Sequence, residues 1–90
     1  MSKAHADPAE LRRFAQDLMR FTNDMRTMLQ AMNGRMMTLE SSWQDQEHRK
    51  FASSFEETTR AMGKFLIATE EHARFVAKKS ELIEAYLRAQ

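Results

Sequence analysis

LESSWQDQEHRKF, residues 39–51, decides the fold of this chain. The stretch contains the only tryptophan, Trp43, and it separates two long segments in which apolar residues recur every three or four positions. That spacing is typical of amphipathic helices, and polar residues on both sides of the tryptophan interrupt it. The stretch therefore predicts a helix–turn–helix hairpin with Trp43 at the bend.

Composition predicts an all-α chain that forms one domain, residues 1–90. Only two glycines and one proline are present, and good helix formers dominate. The absence of cysteine excludes a disulfide framework and a thiolate metal site. The net charge is +1 and charges of both signs are interspersed, so we expect no nucleic-acid surface.

The first helix is predicted over about residues 8–40. Asp7 is placed as its N-cap, Pro8 suits the first helical position, and Glu10 has the spacing of a capping box. An Asn-Gly pair ending at Gly34 is a competing turn signal, but the apolar pattern continues beyond it, so we expect one continuous helix. The apolar row of this helix consists of Leu11, Phe14, Leu18, Phe21, Met25, Met28, Met32, Met36 and Leu39.

The bend is predicted over about residues 41–45 and the second helix over about residues 46–88. Ser42 and Asp45 have the Ser-x-x-Asp spacing of a helix start. The apolar residues that follow again step by three and four, which is the helical pattern. The row of the second helix includes Phe51, Phe55, Met62, Leu66, Val76 and Ile83.

Each predicted helix has an apolar face wider than one hairpin can cover. Leu29 and Met37 flank the row on the first helix, and Phe65 and Phe75 flank the row on the second. Two antiparallel helices cover each other along one line, so much of this surface would stay in water. We therefore expect two hairpins to form a four-helix bundle, as a homodimer or as a heterodimer with a related hairpin. The apolar runs are too short for a membrane span, so we expect no membrane insertion.

Trp43 and the methionines each have two interpretations. Trp43 can plug the open end of the hairpin or can form a recognition surface at the bend, and the two roles are compatible. Six of the eight methionines lie in one part of the first helix. They suit core filling at a dimer seam, and the alternative is an adaptable binding surface.

No catalytic, cofactor or metal site is indicated by the sequence. Its three histidines, His5, His48 and His72, show no metal-ligand spacing. His48 follows Asp45 by three residues, but one carboxylate and one imidazole fall short of the ligand sets of bundle metal centres. A glycine-rich phosphate loop and a cysteine nucleophile are both absent, so we expect no enzyme activity.

The bend resembles that of the small Trp-x-Gly proteins, the early-secreted-antigen-like substrates of type VII secretion. Trp43, Phe51 and Phe55 match the family's bend and the start of its second helix, and the leading helix has the same apolar spacing. In this chain Asp45 stands at the position of the family's glycine, and Glu47 stands at the later position where the family has a small residue. Because aspartate can cap a helix, we expect the bend to persist with a different local geometry.

The resemblance also implies an export signal, a tyrosine followed four residues later by an acid. Tyr86 is its candidate remnant, but Gln90 stands at the acidic position. The family implies a non-enzymatic hairpin that forms antiparallel dimers and serves as a secretion substrate, an export adaptor or a chaperone-like partner of a larger secreted protein.

Two other interpretations stay open. The first is a cytoplasmic, dimeric helical-bundle scaffold unrelated to secretion. The second, an amphipathic binder of membrane surfaces, conflicts with the balanced charges on both helices. We expect a cytoplasmic protein. If the secretion hypothesis is right, the protein is also exported, without a cleaved signal peptide.

Overall fold

Two long helices form an antiparallel hairpin in the computed structural model, which describes residues 6–90. Helix α1 comprises Pro8–Leu39 and helix α2 comprises Gln46–Arg88. The hairpin measures 68 × 16 × 13 Å. Near its open end the Ser80 hydroxyl donates a hydrogen bond of 2.8 Å to the carbonyl of Pro8, so the last turns of α2 lie beside the start of α1. The all-α prediction is confirmed, while the four-helix bundle stays a prediction.

Helix α1 begins at the predicted cap and runs without interruption. Asp7 Oδ1 accepts a hydrogen bond of 2.9 Å from the amide of Ala9, and Pro8 follows as the first helical residue. The sequence predicts that the Glu10 side chain reaches back to the cap. In the structure it instead accepts a hydrogen bond from Arg13, one turn further along the helix. The helix passes through Gly34 with the ordinary negative φ, as expected for one continuous segment.

Small and hydroxyl side chains line much of the seam between the two helices. Among the described residues that are buried, only Leu66 and Ile83 are large and apolar. Small residues allow close approach of the helices but remove little apolar surface from water, and the stabilisation scales with that surface at roughly 25 cal/mol per Å². The buried residues of the described chain are Ala15, Thr22, His48, Leu66, Thr69, Ala73, Ser80 and Ile83.

A hydrogen-bonded threonine pair stands at the middle of the seam. Thr22 Oγ1 and Thr69 Oγ1 are 2.7 Å apart, and both side chains are buried. Each hydroxyl also lies 2.8 Å from a carbonyl of its own helix, Leu18 O and Leu66 O respectively. Two hydroxyl hydrogens serve three close contacts, so one hydroxyl donates across the seam while the other donates along its helix.

The two open sides of the hairpin have opposite character. On one side the charged groups of Arg26 and Glu70 lie 3.2 Å apart and bridge the helices. On the other side the rings of Phe21 and Phe65 meet edge to face, with centroids 6.5 Å apart. One open side is therefore held by ions and the other by aromatic contact.

Large apolar side chains are exposed along the side of the Phe21–Phe65 contact. On each helix they recur at the three-, four- and seven-residue steps that return to one side of a helix pair, so they form a continuous strip. We call this strip the apolar face. It consists of Phe14, Phe21, Met28, Met32, Leu39, Phe51, Phe65, Phe75, Leu82 and Tyr86.

The threonine pair generates a prediction about stability. Thr22→Val and Thr69→Val each keep the side-chain shape and remove one hydroxyl, and we expect each to lower the free energy of unfolding by about 1 kcal/mol. Because the two hydroxyls bond each other, the double variant should lose less than the sum of the single variants. Urea unfolding at one fixed protein concentration measures the cycle. Strictly additive losses would show that the seam hydrogen bond contributes nothing.

Candidate functional site

The bend is closed by hydrogen bonds to the last carbonyls of α1. The Ser41 hydroxyl donates to Thr38 O over 2.8 Å, and the Trp43 amide donates to Leu39 O over 3.0 Å. The Ser42 hydroxyl also donates to Leu39 O, at 3.3 Å. Ser42 therefore helps to end α1, whereas its spacing to an aspartate predicts a role in starting α2. These bonds satisfy carbonyl groups that a helix end leaves without intrahelical partners.

Asp45 begins α2 as its N-cap. Its backbone is extended, with φ −90° and ψ −177°, and its Oδ1 accepts a hydrogen bond of 2.9 Å from the amide of His48. The carboxylate also lies at the positive end of the helix dipole. A φ of −90° is open to any residue, so this position does not need the conformational freedom of glycine. Aspartate thus supports the bend by capping the second helix.

An aromatic cluster packs against the bend. The ring of Trp43 lies edge-on to His48, with centroids 5.1 Å apart, and is tilted against Phe51 at 5.8 Å. Phe51 stacks on Phe55, also at 5.8 Å. Trp43 is half-buried, so it supports the bend with one part of its ring system and presents the rest to solvent. Both roles considered for Trp43 are compatible with this geometry.

His48 is the buried member of the cluster. It is 7% exposed, and its Nε2 has no hydrogen-bond partner among the described residues. Within residues 6–90, no three histidine, aspartate or glutamate side chains come together in a group that could hold a metal ion. In this geometry His48 packs against Trp43.

The predicted apolar rows occupy three environments in the structure. Leu66 and Ile83 are buried in the seam. The part-buried members are Leu11, Leu18, Met25, Met36, Phe55, Met62 and Val76. The exposed members are Phe14, Phe21, Met28, Met32, Leu39 and Phe51. All six exposed members belong to the apolar face, and their use as a dimer interface stays a prediction. Tyr86 is exposed on the same face near the open end.

Several seam residues are missing from the predicted rows. Ala15, Thr22 and Ser80 are small or carry hydroxyl groups, so a search for large apolar side chains passes over them. A signal is nevertheless present, because Ala15 and Thr22 are seven residues apart, as are Leu66, Ala73 and Ser80. A search for small residues at heptad spacing would find this line.

The ion pairs of the described residues lie at exposed or part-exposed positions. Arg12 pairs with Glu84 on the same side of the hairpin as the Arg26–Glu70 pair. Both side chains of the Arg12–Glu84 pair are partly exposed, and such pairs contribute about 0–1 kcal/mol to the free energy of unfolding. On α1 the hydrogen bond and the charge of Glu10 raise the pKa of Arg13. Arginine is protonated at every physiological pH, so this shift introduces no pH dependence. The ion pairs on this side therefore add little to the stability of the hairpin.

The cap at Asp45 leads to a second prediction. Asp45→Ala should lower the free energy of unfolding by about 1 kcal/mol because it removes the acceptor for the His48 amide. Asp45→Gly, which restores the Trp-x-Gly motif, should cost only a few tenths of a kcal/mol, roughly the penalty for glycine at an N-cap. Thermal melting followed by circular dichroism distinguishes the two. An unchanged stability of Asp45→Ala would show that the carboxylate does not act as a cap.

Comparison with known proteins identifies the family. The family model WXG100, proteins of 100 residues with WXG, matches residues 4–86. Comparison with the curated proteins and with the solved structures gives no match. Neither described helix combines the length and the apolar character that crossing a membrane requires. Since the family match covers nearly the whole chain and the structure is a helical hairpin with tryptophan at its bend, the chain belongs to the WXG100 family of small helical proteins of the type VII secretion kind.

Proposed function

We propose that this hairpin pairs with a second copy through its apolar face and acts, by protein–protein interaction alone, as a substrate, adaptor or chaperone-like partner in type VII secretion. The observation that carries the proposal is the uneven exposure of large apolar side chains, because ten of the thirteen that are exposed in the described chain belong to the apolar face. Ten such residues form the apolar face, whereas ion pairs cross the other side of the hairpin. Contiguous apolar patches on one side of a soluble protein mark interaction sites.

The thin seam supports pairing as the step that stabilises the hairpin. Among the described residues, Leu66 and Ile83 are the only large apolar residues that are buried. A second hairpin laid on the apolar face would bury Phe21, Phe65 and Phe75 and complete a four-helix bundle. A two-fold homodimer needs no other gene product, which makes a second copy the first partner to test. A related hairpin on the same face is the alternative.

The bend is the second surface in the proposal. A partner that covers the apolar face leaves part of the bend accessible at the end of the bundle, where Trp43 is half-buried. Trp43 and the caps around it form a rigid element, since hydrogen bonds fix both sides of the bend. Such an element suits recognition by a secretion component or by a larger secreted protein.

A cytoplasmic scaffold is the second candidate function, and one residue favours it. Gln90 stands where the family's export signal has an acid, four residues after Tyr86. A neutral amide cannot replace the charge of a carboxylate. Under this second function the dimer forms in the same way but stays inside the cell.

Two residues of equal exposure test the pairing. Phe65 and Ile67 are each 54% exposed, but they lie about 200° apart around α2, on opposite sides of the hairpin. Phe65→Asp should convert the dimer to a monomer by placing a charge in an apolar interface, with dissociation at least about tenfold more favourable. Ile67→Asp should leave the dimer intact. Light scattering behind a sizing column measures both masses.

Circular dichroism on the same samples guards against a folding defect, because Phe65 also touches Phe21 within the chain. Phe75→Asp is the companion variant, since Phe75 is still more exposed and lies on the same face. A monomeric wild-type chain with full helix content would contradict the homodimer. Loss of the dimer by Ile67→Asp alone would place the interface on the other side.

Export distinguishes the two functions. In cells with an intact type VII machinery, the secretion hypothesis expects the chain in the medium beside an authentic substrate. Trp43→Ala should reduce that fraction, because it removes the exposed part of the bend. Immunoblots of medium and cell fractions give the measurement. Retention of the wild-type chain, while the authentic substrate leaves the cell, would favour the scaffold.

A further inference from the structure

A methionine-lined cleft opens at the edge of the apolar face. Its volume is about 200 Å³, and it lies between the bend-proximal halves of α1 and α2. Four of its lining side chains are thioethers: three from one side of α1 and one from α2. They are Met25, Met28, Met32 and Met62. We call this the methionine cleft.

The cleft presents no oxygen or nitrogen ligand. Its polar lining residues are Thr58 and Thr59, and both hydroxyls turn back to their own helix. Thr58 Oγ1 donates to Ser54 O over 3.1 Å, and Thr59 Oγ1 donates to Glu56 O over 3.0 Å. Leu29 and Phe55 complete the wall with hydrocarbon and an aromatic ring. The thioether sulfurs are therefore the metal-ligand atoms that the lining side chains can offer.

Helix geometry allows these sulfurs to converge. Met25, Met28 and Met32 are spaced three and four residues apart, so neighbouring Cβ atoms lie about 5–6 Å from each other. Methionine is unbranched and has three rotatable bonds after Cα, which lets its sulfur move to a common point at small strain. Met62 faces the group from across the seam.

From this arrangement we propose that the methionine cleft is a binding site for Cu(I), coordinated by thioether sulfur. Soft sulfur ligands select Cu(I), whereas Mg²⁺, Ca²⁺ and Mn²⁺ prefer oxygen, which the cleft does not offer. Four neutral thioethers leave the bound ion with a single positive charge, which suits an apolar cleft better than a divalent ion. The chain has no cysteine, so no thiolate within it competes for the metal.

Formation of the site does not require the proposed dimer, because all four ligands come from one hairpin. A second hairpin on the apolar face would cover the cleft and exclude water and oxidants from the ion. A negative result for copper binding therefore does not contradict pairing, and the reverse also holds. The mass of each sample is measured with the copper titration to show whether the chain is a monomer or a dimer.

Methionine-to-leucine variants test the proposal because leucine keeps the apolar volume and the helix propensity while removing the sulfur. The full chain is titrated with Cu(I) under anaerobic, reducing conditions against a chromophoric Cu(I) chelator. We expect one Cu(I) per chain and, for the double variant Met28→Leu/Met32→Leu, at least about tenfold weaker binding. Met37→Leu is the matched control, since Met37 is 71% exposed and lies outside the cleft.

X-ray absorption at the copper edge identifies the ligand atoms. Sulfur neighbours in the wild-type chain, lost in the double variant at unchanged helix content, would establish the site. Equal Cu(I) affinity of the wild-type chain and the double variant would overturn it, as would a coordination shell of nitrogen. A loss in Met37→Leu as large as in the double variant would also overturn it, because binding would then not depend on the methionines of the cleft.

Discussion

Close approach of two helices along a line of small side chains is the constraint on which the rest of this structure depends. The buried Thr22–Thr69 pair at the middle of the seam requires that neither side chain be bulky. Ala15 and Ala73 keep the same line narrow. A narrow seam brings the backbones together but buries few large apolar groups, so the hydrophobic residues of the sequence must lie elsewhere. The apolar face is the direct consequence.

Sequence reasoning predicts the hairpin but not the rotation of its helices. The three- and four-residue spacing, the Asp7 cap and the polar stretch around Trp43 are local features, and each has its expected counterpart in the structure. Hydrophobicity indicates which residues tend to be buried, but it does not indicate which surface they pack against. Phe14 and Phe21 have the spacing of a seam, yet they are exposed because Ala15 and Thr22, the small residues beside them, occupy the contact with α2.

The bend shows how one structural requirement can be met by different chemistry. In the family motif the position two residues after tryptophan is glycine, which tolerates unusual backbone angles. In this chain Asp45 has ordinary extended angles and contributes a side-chain acceptor to α2. The resemblance predicts only that a bend stands here. The cap follows from the aspartate itself, and so does the burial of His48 beneath Trp43, because the capping bond fixes the first turn of α2. The contact between Trp43 and His48, five residues apart, depends on the path of the bend, which the residue spacing alone does not give.

The apolar face and the methionine cleft share two methionines. Met28 and Met32 belong both to the apolar face and to the methionine cleft, so a second hairpin and a bound ion would act on the same side chains. Such sharing implies coupling: if Cu(I) binds the paired hairpins more tightly than the single hairpin, it must favour pairing by the same factor. Ordering of Met28 and Met32 around an ion would therefore also change the surface that a second hairpin contacts. Methionine is flexible enough to serve in both places, which is why the same side chains can line a cleft and contribute to an interface.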